Sequence, residues 1–169
     1  MTGMFSRNTF FSLSALLLVV ACAVADRRAA VAADILAVCP PTYRAELRHW
    51  IDHRQRDGLS VSIVENHPDA KSLQAAIQAS ADPSTRYVVL VGDAPSIGTT
   101  CNPLLEIPTT YSATTVTAKY GSTPTLSSDM PFGDFDGDGI PEAVVGRFPV
   151  KAETQLQSFV ERIIRYEQN

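Results

Sequence analysis

The fold is decided by the stretch DILAVCPPTYRAELRHWIDHRQRDGLSVSIVENHPDAKSLQAAIQASADPSTRYVVLVGD, which covers residues 34–93. It contains three short apolar runs: DILAV at 34–38, LSVSIV at 59–64 and YVVLV at 87–91. Apolar runs of this length, bounded by Pro, Gly or Asp, are typical of strands that are buried on both faces of a sheet. The stretch therefore predicts three buried strands.

Two helical patterns separate these runs. Apolar side chains recur at helical spacing between residues 43 and 54, where Thr42 can cap the helix and Gly58 can end it. Asp69 can cap a second helix. Strand and helix alternation builds parallel sheets through right-handed crossovers. The predicted fold class is α/β, a doubly wound, mainly parallel sheet with flanking helices.

The chain changes character after Asp93. Residues 94–128 are rich in Pro, Thr and Ser and have no helical period, which predicts loops with extended segments near 109–111 and 114–119. A further strand is predicted at 142–147 and a final helix at about 152–167.

The first residues are typical of a cleavable signal peptide. Arg7 is followed by an apolar run at 10–20 and by the small-x-small triplet Ala23-Val24-Ala25. The run is too short to span a membrane comfortably. We therefore expect export to a secreted or extracytoplasmic location, with a signal peptide at 1–25, a short linker at 26–33 and an α/β domain at 34–169.

The leader also contains Cys22, within a sequence similar to a bacterial lipobox. If that reading is correct, Cys22 becomes the lipidated first residue of the mature protein; otherwise it is lost with the leader. The net charge is −4 and the chain has no Lys/Arg cluster, which argues against nucleic acid as a partner. Membrane association is expected only if Cys22 is lipidated.

Cys39 and Cys101 are the remaining cysteines. They follow the first and third predicted strands, whose ends are neighbours in a 2-1-3 sheet. An oxidising compartment would allow a disulfide between them, and two separate half-buried thiols are the equal alternative. No local motif places a histidine beside either one, so neither is predicted to be a nucleophile.

The sequence GDFDGDGIPEAVV at 133–145 carries the strongest chemical pattern. Asp134, Asp136 and Asp138 alternate, Glu142 follows, and the carbonyl of Ile140 could add another oxygen ligand. Such oxygen ligands suit calcium. The loop is not an EF-hand, because Val145 stands where that motif has a bidentate Glu. A solvated acidic turn without a cation is the alternative.

The histidines give a weaker indication of a metal site than the acidic residues at 133–145. His49 and His53 lie four residues apart on the first predicted helix, a spacing that can bind a metal. Trp50 and Ile51 define the buried side of that helix, which favours a surface location for both histidines.

Taken together, these segments resemble the gingipain-type cysteine peptidases, whose catalytic domain has a caspase-like α/β fold. The resemblance rests on four stretches in the same order as in that family. They are the segment at 34–64, YVVLVGDAPSI at 87–97, SSDMPFGDFDGDGIPEAVVGRFPV at 127–150 and LQSFVERIIRYEQN at 156–169.

The resemblance implies that this chain corresponds to the N-terminal subdomain of such a peptidase. In the family the catalytic histidine and cysteine lie in G-H-G and A-C motifs after the helix that ends in Y-E, and this sequence ends just past that helix. No catalytic residue is therefore assigned in this chain, and protein or peptide substrates are expected only if the C-terminal part is present.

The resemblance also predicts an exposed apolar patch on the side that the C-terminal part would cover. The alternative interpretation is a stand-alone, secreted, calcium-binding module without catalytic activity.

Overall fold

The computed structural model describes residues 32–115, 118–121 and 123–168. The predicted signal peptide, Cys22 and most of the predicted linker lie outside these residues. Among the described helices, none combines the length and the apolar character that a membrane crossing requires.

The main sheet consists of four parallel strands in the order β2-β1-β3-β6. The strands are β1 (Ile35–Val38), β2 (Val61–Val64), β3 (Tyr87–Val91) and β6 (Val144–Phe148). Ile35 lies opposite Val61 on one side and Tyr87 on the other, and Tyr87 lies opposite Val144. The predicted mainly parallel sheet is confirmed: its first three strands lie in the order β2-β1-β3, and the fourth extends the sheet beyond β3.

Within the described residues, three α-helices flank the sheet: α1 (Arg44–Arg56), α2 (Ala70–Ser80) and α3 (Glu153–Glu167). The predicted cap of α2 is present, since the Asp69 carboxylate accepts a hydrogen bond of 2.9 Å from the Ser72 amide. The predicted Thr42 cap is wrong. A short 3-10 turn, Pro41–Tyr43, precedes α1, so the helix begins after Thr42 and its first turn has no side-chain cap.

Two apolar cores cover the two faces of the sheet, which is why β1 is buried on both sides. Leu36 and Val38 point into the core beneath α2, whereas Ile35 and Ala37 point into the core beneath α1 and α3. Successive side chains of a strand alternate between faces. The doubly wound arrangement predicted from the sequence is therefore confirmed.

A separate two-stranded antiparallel hairpin projects from the segment between β3 and β6. Its strands are β4 (Thr110–Ala113) and β5 (Thr125–Ser128), with Thr110 opposite Ser128. The first predicted extended segment matches β4, but the second was placed too early. The strand character of TLSS depends on its pairing with β4 and not on an apolar pattern of its own.

Candidate functional site

The acidic loop, residues 133–145, brings together the carboxylates that the sequence singled out. One oxygen atom from each of Asp134, Asp136, Asp138 and Glu142 lies within 4.8 Å of the others. Ile140 lies between the last two of these acids, and its backbone amide donates to Asp138 at 2.7 Å.

Backbone amides hold the loop in shape. Asp134 is 7% exposed and accepts hydrogen bonds from the amides of Gly137 at 2.7 Å and Gly139 at 3.0 Å. Both glycines have positive φ, 81° and 90°, which explains why glycine occupies these turns. Glu142 reaches back to the Phe135 amide at 2.6 Å. The tight turn is thus built by the same carboxylates that could bind a cation.

The chemistry of this donor set fits a hard cation. All four side-chain donors are carboxylate oxygens, without a sulfur or imidazole ligand, which matches the preference of calcium and not that of zinc. Three of the four acids are exposed, so an ion could enter from solvent.

A second group of hydrogen-bonded residues lies at the carboxyl edge, the side of the sheet at which the parallel strands end. Arg147, near the end of β6, donates to the Gly92, Ile107 and Pro108 carbonyls at 3.0, 3.0 and 3.1 Å. Its Nε and Nη2 also bind the two carboxylate oxygens of Asp129 at 2.8 and 2.9 Å. One side chain therefore joins three separate segments of the chain.

The pKa of the Asp129 carboxyl group is set by its burial and by its contacts with Arg147 and Thr109. Its burial acts to raise its pKa, but the hydrogen bonds and charge of Arg147, together with the Thr109 hydroxyl, offset that effect and hold the pKa below its usual value. The acid is thus ionised at neutral pH and forms a bidentate ion pair with the guanidinium.

Beside this ion pair lies a cavity of about 180 Å³. Its polar wall includes Asp93, whose Oδ2 is 3.1 Å from the Lys151 Nζ, and Glu106, which forms a β-bridge with Asp93. Carboxyl ends of parallel strands are the usual location of ligand sites in α/β folds. Most of the residues that line the cavity lie within 93–106, a segment with no periodic pattern, and Lys151 joins them from a distant part of the chain, so no local motif indicates the cavity.

The two described cysteines are buried, unbridged thiols. Cys39 donates to the Pro40 carbonyl at 3.4 Å and Cys101 to the Glu106 carbonyl at 3.5 Å. Burial raises the pKa of Cys101 and raises that of Cys39 to about 12. Thiols with raised pKa values are poor nucleophiles at neutral pH. A disulfide between them stays a prediction for oxidised protein.

The histidines are divided between surface and interior. His49 is exposed, as expected, but the surface location predicted for His53 is wrong. His53 is 7% exposed, and its Nε2 lies 2.9 Å from a carboxylate oxygen of Glu167 at the end of α3. That partner is 114 residues away, so no local pattern could have indicated the burial.

Sequence reasoning also missed Arg147 and Asp129 as partners. Both residues lie in the segments quoted above, S-D at 128–129 and V-G-R at 145–147, and Gly92 belongs to V-G-D. The order of these motifs was visible in the sequence. Their convergence on one guanidinium became visible only in the tertiary structure.

Comparisons with known proteins agree with this architecture. The model of peptidase family C25 matches residues 28–169. A solved structure described as "Structure of Protease" is similar, with a TM-score of 0.54 and 18% sequence identity. That similarity covers 79% of this chain but only 28% of the other, so the chain spans less than a third of that protein. No curated protein matches the chain significantly.

The family match covers most of the chain, including the acidic loop and the Arg147 ion pair. It confirms the resemblance drawn from the four sequence segments, and the structural similarity confirms the α/β fold class. The chain belongs to peptidase family C25, the gingipain family of cysteine peptidases.

Proposed function

We propose that this chain is the N-terminal part of a secreted gingipain-like cysteine endopeptidase and does not hydrolyse peptides by itself. The observation that carries the proposal is the state of the two thiols. Cys39 and Cys101 are buried, each donates to a backbone carbonyl, and neither is hydrogen-bonded to a histidine in the described part of the chain. A cysteine nucleophile needs an accessible thiolate and a nearby base.

A hydrolysis assay tests the proposal. The purified chain is incubated with casein and with a pool of fluorogenic peptides, with and without iodoacetamide. We expect no thiol-dependent turnover. Turnover that disappears on alkylation, and also in Cys101→Ala or Cys39→Ala, would contradict the proposal. Absence of turnover is also expected of a non-catalytic module; the coding sequence beyond codon 169 distinguishes the two, because a peptidase must continue into G-H-G and A-C motifs.

Export is the second part of the proposal, and it rests on the leader sequence. Expression from the first codon in a bacterial host, followed by fractionation, is expected to place the protein outside the cytoplasm. Mass spectrometry of the mature N-terminus then separates the alternatives. A chain that begins at Asp26 indicates signal-peptide cleavage after Ala25, and a chain that begins at a diacylated Cys22 indicates a lipoprotein. A cytoplasmic protein that retains Met1 or begins at Thr2 would contradict export.

We further propose that the acidic loop binds calcium, and that the ion strengthens the connection between the loop and β6. Four carboxylate groups lie close together there, and without a cation their charges repel one another. Asp134, Asp136, Asp138 and Glu142 would supply side-chain oxygens, and Ile140 a backbone carbonyl.

Calcium binding predicts a shift in thermal stability. Addition of Ca²⁺ to chelator-treated protein should raise the Tm, whereas Mg²⁺ should raise it less, because Mg²⁺ demands a more rigid geometry. Asp138→Asn keeps the acceptor for the Ile140 amide but removes a charge, so it should weaken the Ca²⁺-dependent shift. Asp52→Asn, an exposed acid on α1, is the matched control. Equal shifts in both variants and the parent chain would contradict a site in this loop.

A further inference from the structure

We propose that Arg147 is a positioning residue. Its guanidinium fixes the segment at 94–108, called here the edge loop, and the base of the β4–β5 hairpin against the carboxyl edge of the sheet. It thereby maintains the cavity between Asp93 and Glu106. This role goes beyond the proposed peptidase assignment and does not depend on it.

The hydrogen bonds of Arg147 support this role. A guanidinium has five N–H donors. Here the five have five acceptors: three backbone carbonyls and both oxygens of the Asp129 carboxylate. The side chain is 13% exposed, so these bonds are largely shielded from water. A guanidinium bound in this way holds all its partners in one geometry.

The edge loop is also held by Asn66, whose side-chain amide donates to the Pro103 and Glu106 carbonyls at 2.9 and 2.8 Å. Ile107 is fully buried, but Ile97 and Leu104 of the edge loop are 69% and 56% exposed. A two-stranded hairpin has marginal stability by itself. At its base, Thr109 donates to the same Asp129 carboxylate that binds Arg147, at 2.8 Å. The ion pair is therefore positioned to tether both segments.

The ion pair also connects directly to the cavity wall. The Gly92 and Ile107 carbonyls that accept from Arg147 belong to residues adjacent in the chain to Asp93 and Glu106. Packing at this point is close, because a Cβ added at Gly92 would lie 3.0 Å from the Leu105 carbonyl oxygen. Loss of the guanidinium would remove three of the hydrogen bonds that hold these segments at the cavity, while the direct bond from the Ile107 amide to the Asp93 carbonyl would remain.

The two thiols provide a built-in measurement of local opening. Cys101 belongs to the edge loop, whereas Cys39 lies in the core at the end of β1 and is fully buried. A buried thiol is alkylated only when its surroundings open, and different regions open with different free energies. The ratio of the two alkylation rates therefore separates opening of the edge loop from global unfolding.

The experiment compares alkylation rates of the reduced chain under native conditions, read by peptide mass spectrometry. In Arg147→Met we expect Cys101 to react at least about tenfold faster, which corresponds to about 1.4 kcal/mol of opening free energy. The Cys39 rate reports global unfolding and should rise by no more than the Cys101 rate, and the faster Cys101 reaction should be nearly independent of urea at low concentration, because a local opening exposes little surface. Asp129→Asn should accelerate Cys101 to a smaller extent, because it weakens the bidentate pair and keeps the arginine. Arg147→Lys should restore the parent rate only in part, since an ammonium group cannot reach all five acceptors.

Arg86→Met is the matched control, because Arg86 lies at the opposite end of β3 and pairs with Asp34. It should leave the Cys101 rate unchanged. An unchanged Cys101 rate in both Arg147→Met and Asp129→Asn would overturn the proposal, as would a Cys101 rate in Arg147→Met that rises with urea as steeply as the Cys39 rate. Full restoration by Arg147→Lys would overturn it too. If Arg147→Met does not fold, Asp129→Asn decides the question.

Discussion

Gly133 lies where the backbone of the acidic loop passes closest to the start of β6. Its carbonyl accepts from the amides of Glu142 at 2.9 Å and Ala143 at 3.2 Å. A Cβ at Gly133 would lie 2.4 Å from the Ala143 carbonyl oxygen and 2.9 Å from the Val145 side chain. The first of these neighbours is backbone, which cannot move aside as a flexible side chain can.

Gly133→Ala is therefore expected to destabilise the protein by about 2 kcal/mol or more, the cost of forcing an extra methyl group into a closely packed site. The measurement is the free energy of unfolding from urea denaturation. Gly146→Ala is the matched control, because no atom lies within 4 Å of the Cβ that would be added there. Similar losses of stability in the two variants would contradict the close-approach argument.

Asp34 determines how the start of β1 responds to pH. Its carboxylate accepts from the Ser60 amide at 3.0 Å and from the Ser60 hydroxyl at 2.7 Å, and it pairs with Arg86 at 3.0 Å. These bonds lower its pKa from 3.8 to about 2. A carboxyl group whose pKa is lower in the folded state stabilises the fold above the unfolded pKa. That stabilisation is lost as the pH falls through the folded value.

The expected result is a pH-dependent difference in Tm between the parent chain and Asp34→Asn. The parent chain should be more stable at pH 7, and its advantage should decrease from about pH 4 downwards and nearly disappear near pH 2, as the Asp34 carboxylate protonates in both states. The measurement is thermal unfolding followed by circular dichroism. A difference in Tm that stays constant over this range would show that the charge of Asp34 does not contribute.

At the scale of elements, the ends of α1 and α3 are joined by a charged cluster. Glu167, the last residue of α3, lies 2.9 Å from the buried His53 Nε2 and also pairs with Arg54. Trp50 packs edge-on against Phe148 of β6 just beside this cluster, with ring centroids 5.5 Å apart. The Glu of the Y-E ending thus has a structural explanation, because it attaches α3 to α1, whereas Tyr166 is 84% exposed.

Glu167→Gln is expected to lower the free energy of unfolding by about 1 kcal/mol, since the group is partly exposed and the pairing is screened by solvent. Glu161→Gln, on the same helix, is the control and should change stability by less than about 0.5 kcal/mol. Urea denaturation of both variants gives the comparison. If Glu161→Gln costs as much as Glu167→Gln, the cluster does not join the helices in the way described.

At the scale of the whole molecule, the sheet ends in an exposed strand. β6 is at the edge of the sheet, and its first residue, Val144, has an apolar side chain open to solvent. Val144 is 68% exposed, and Met130 and Ile140 beside it are 61% and 67% exposed. An apolar edge strand is a template for pairing with another chain. The apolar patch that the family resemblance predicts stays a prediction.

We expect the isolated chain to self-associate through this edge at high concentration, and Val144→Lys to reduce the association. Sedimentation velocity over a concentration series measures the effect. Ile97→Lys is the control, because Ile97 is equally exposed, at 69%, but lies in the edge loop away from β6. Equal effects of the two lysine variants would show that general charge, and not the edge strand, governs association.

Much of this architecture could be read from the sequence, because the signals that specify it are local. The apolar runs at β1 and β3, the Asp69 cap and the apolar stripe of α3 each depend on residues within a few positions of one another. The close grouping of the acidic carboxylates was also predictable, since a tight turn with glycines brings alternate residues together.

The tertiary structure decided what depends on distant partners. It placed His53 against Glu167, paired β4 with a polar β5, and brought Gly92, Asp129 and Arg147 into one hydrogen-bonded unit. The partners of His53 and of Arg147 are 18 or more residues away in the sequence. The β4–β5 pairing joins nearer residues, but β5 has no apolar pattern that would indicate a strand. By itself the sequence determined the flanking helices, the strands of the parallel sheet and the family, because periodicity and motif order are properties of the chain. The carboxyl-edge ion pair was decided by packing, because only the folded sheet brings its three segments within hydrogen-bond distance.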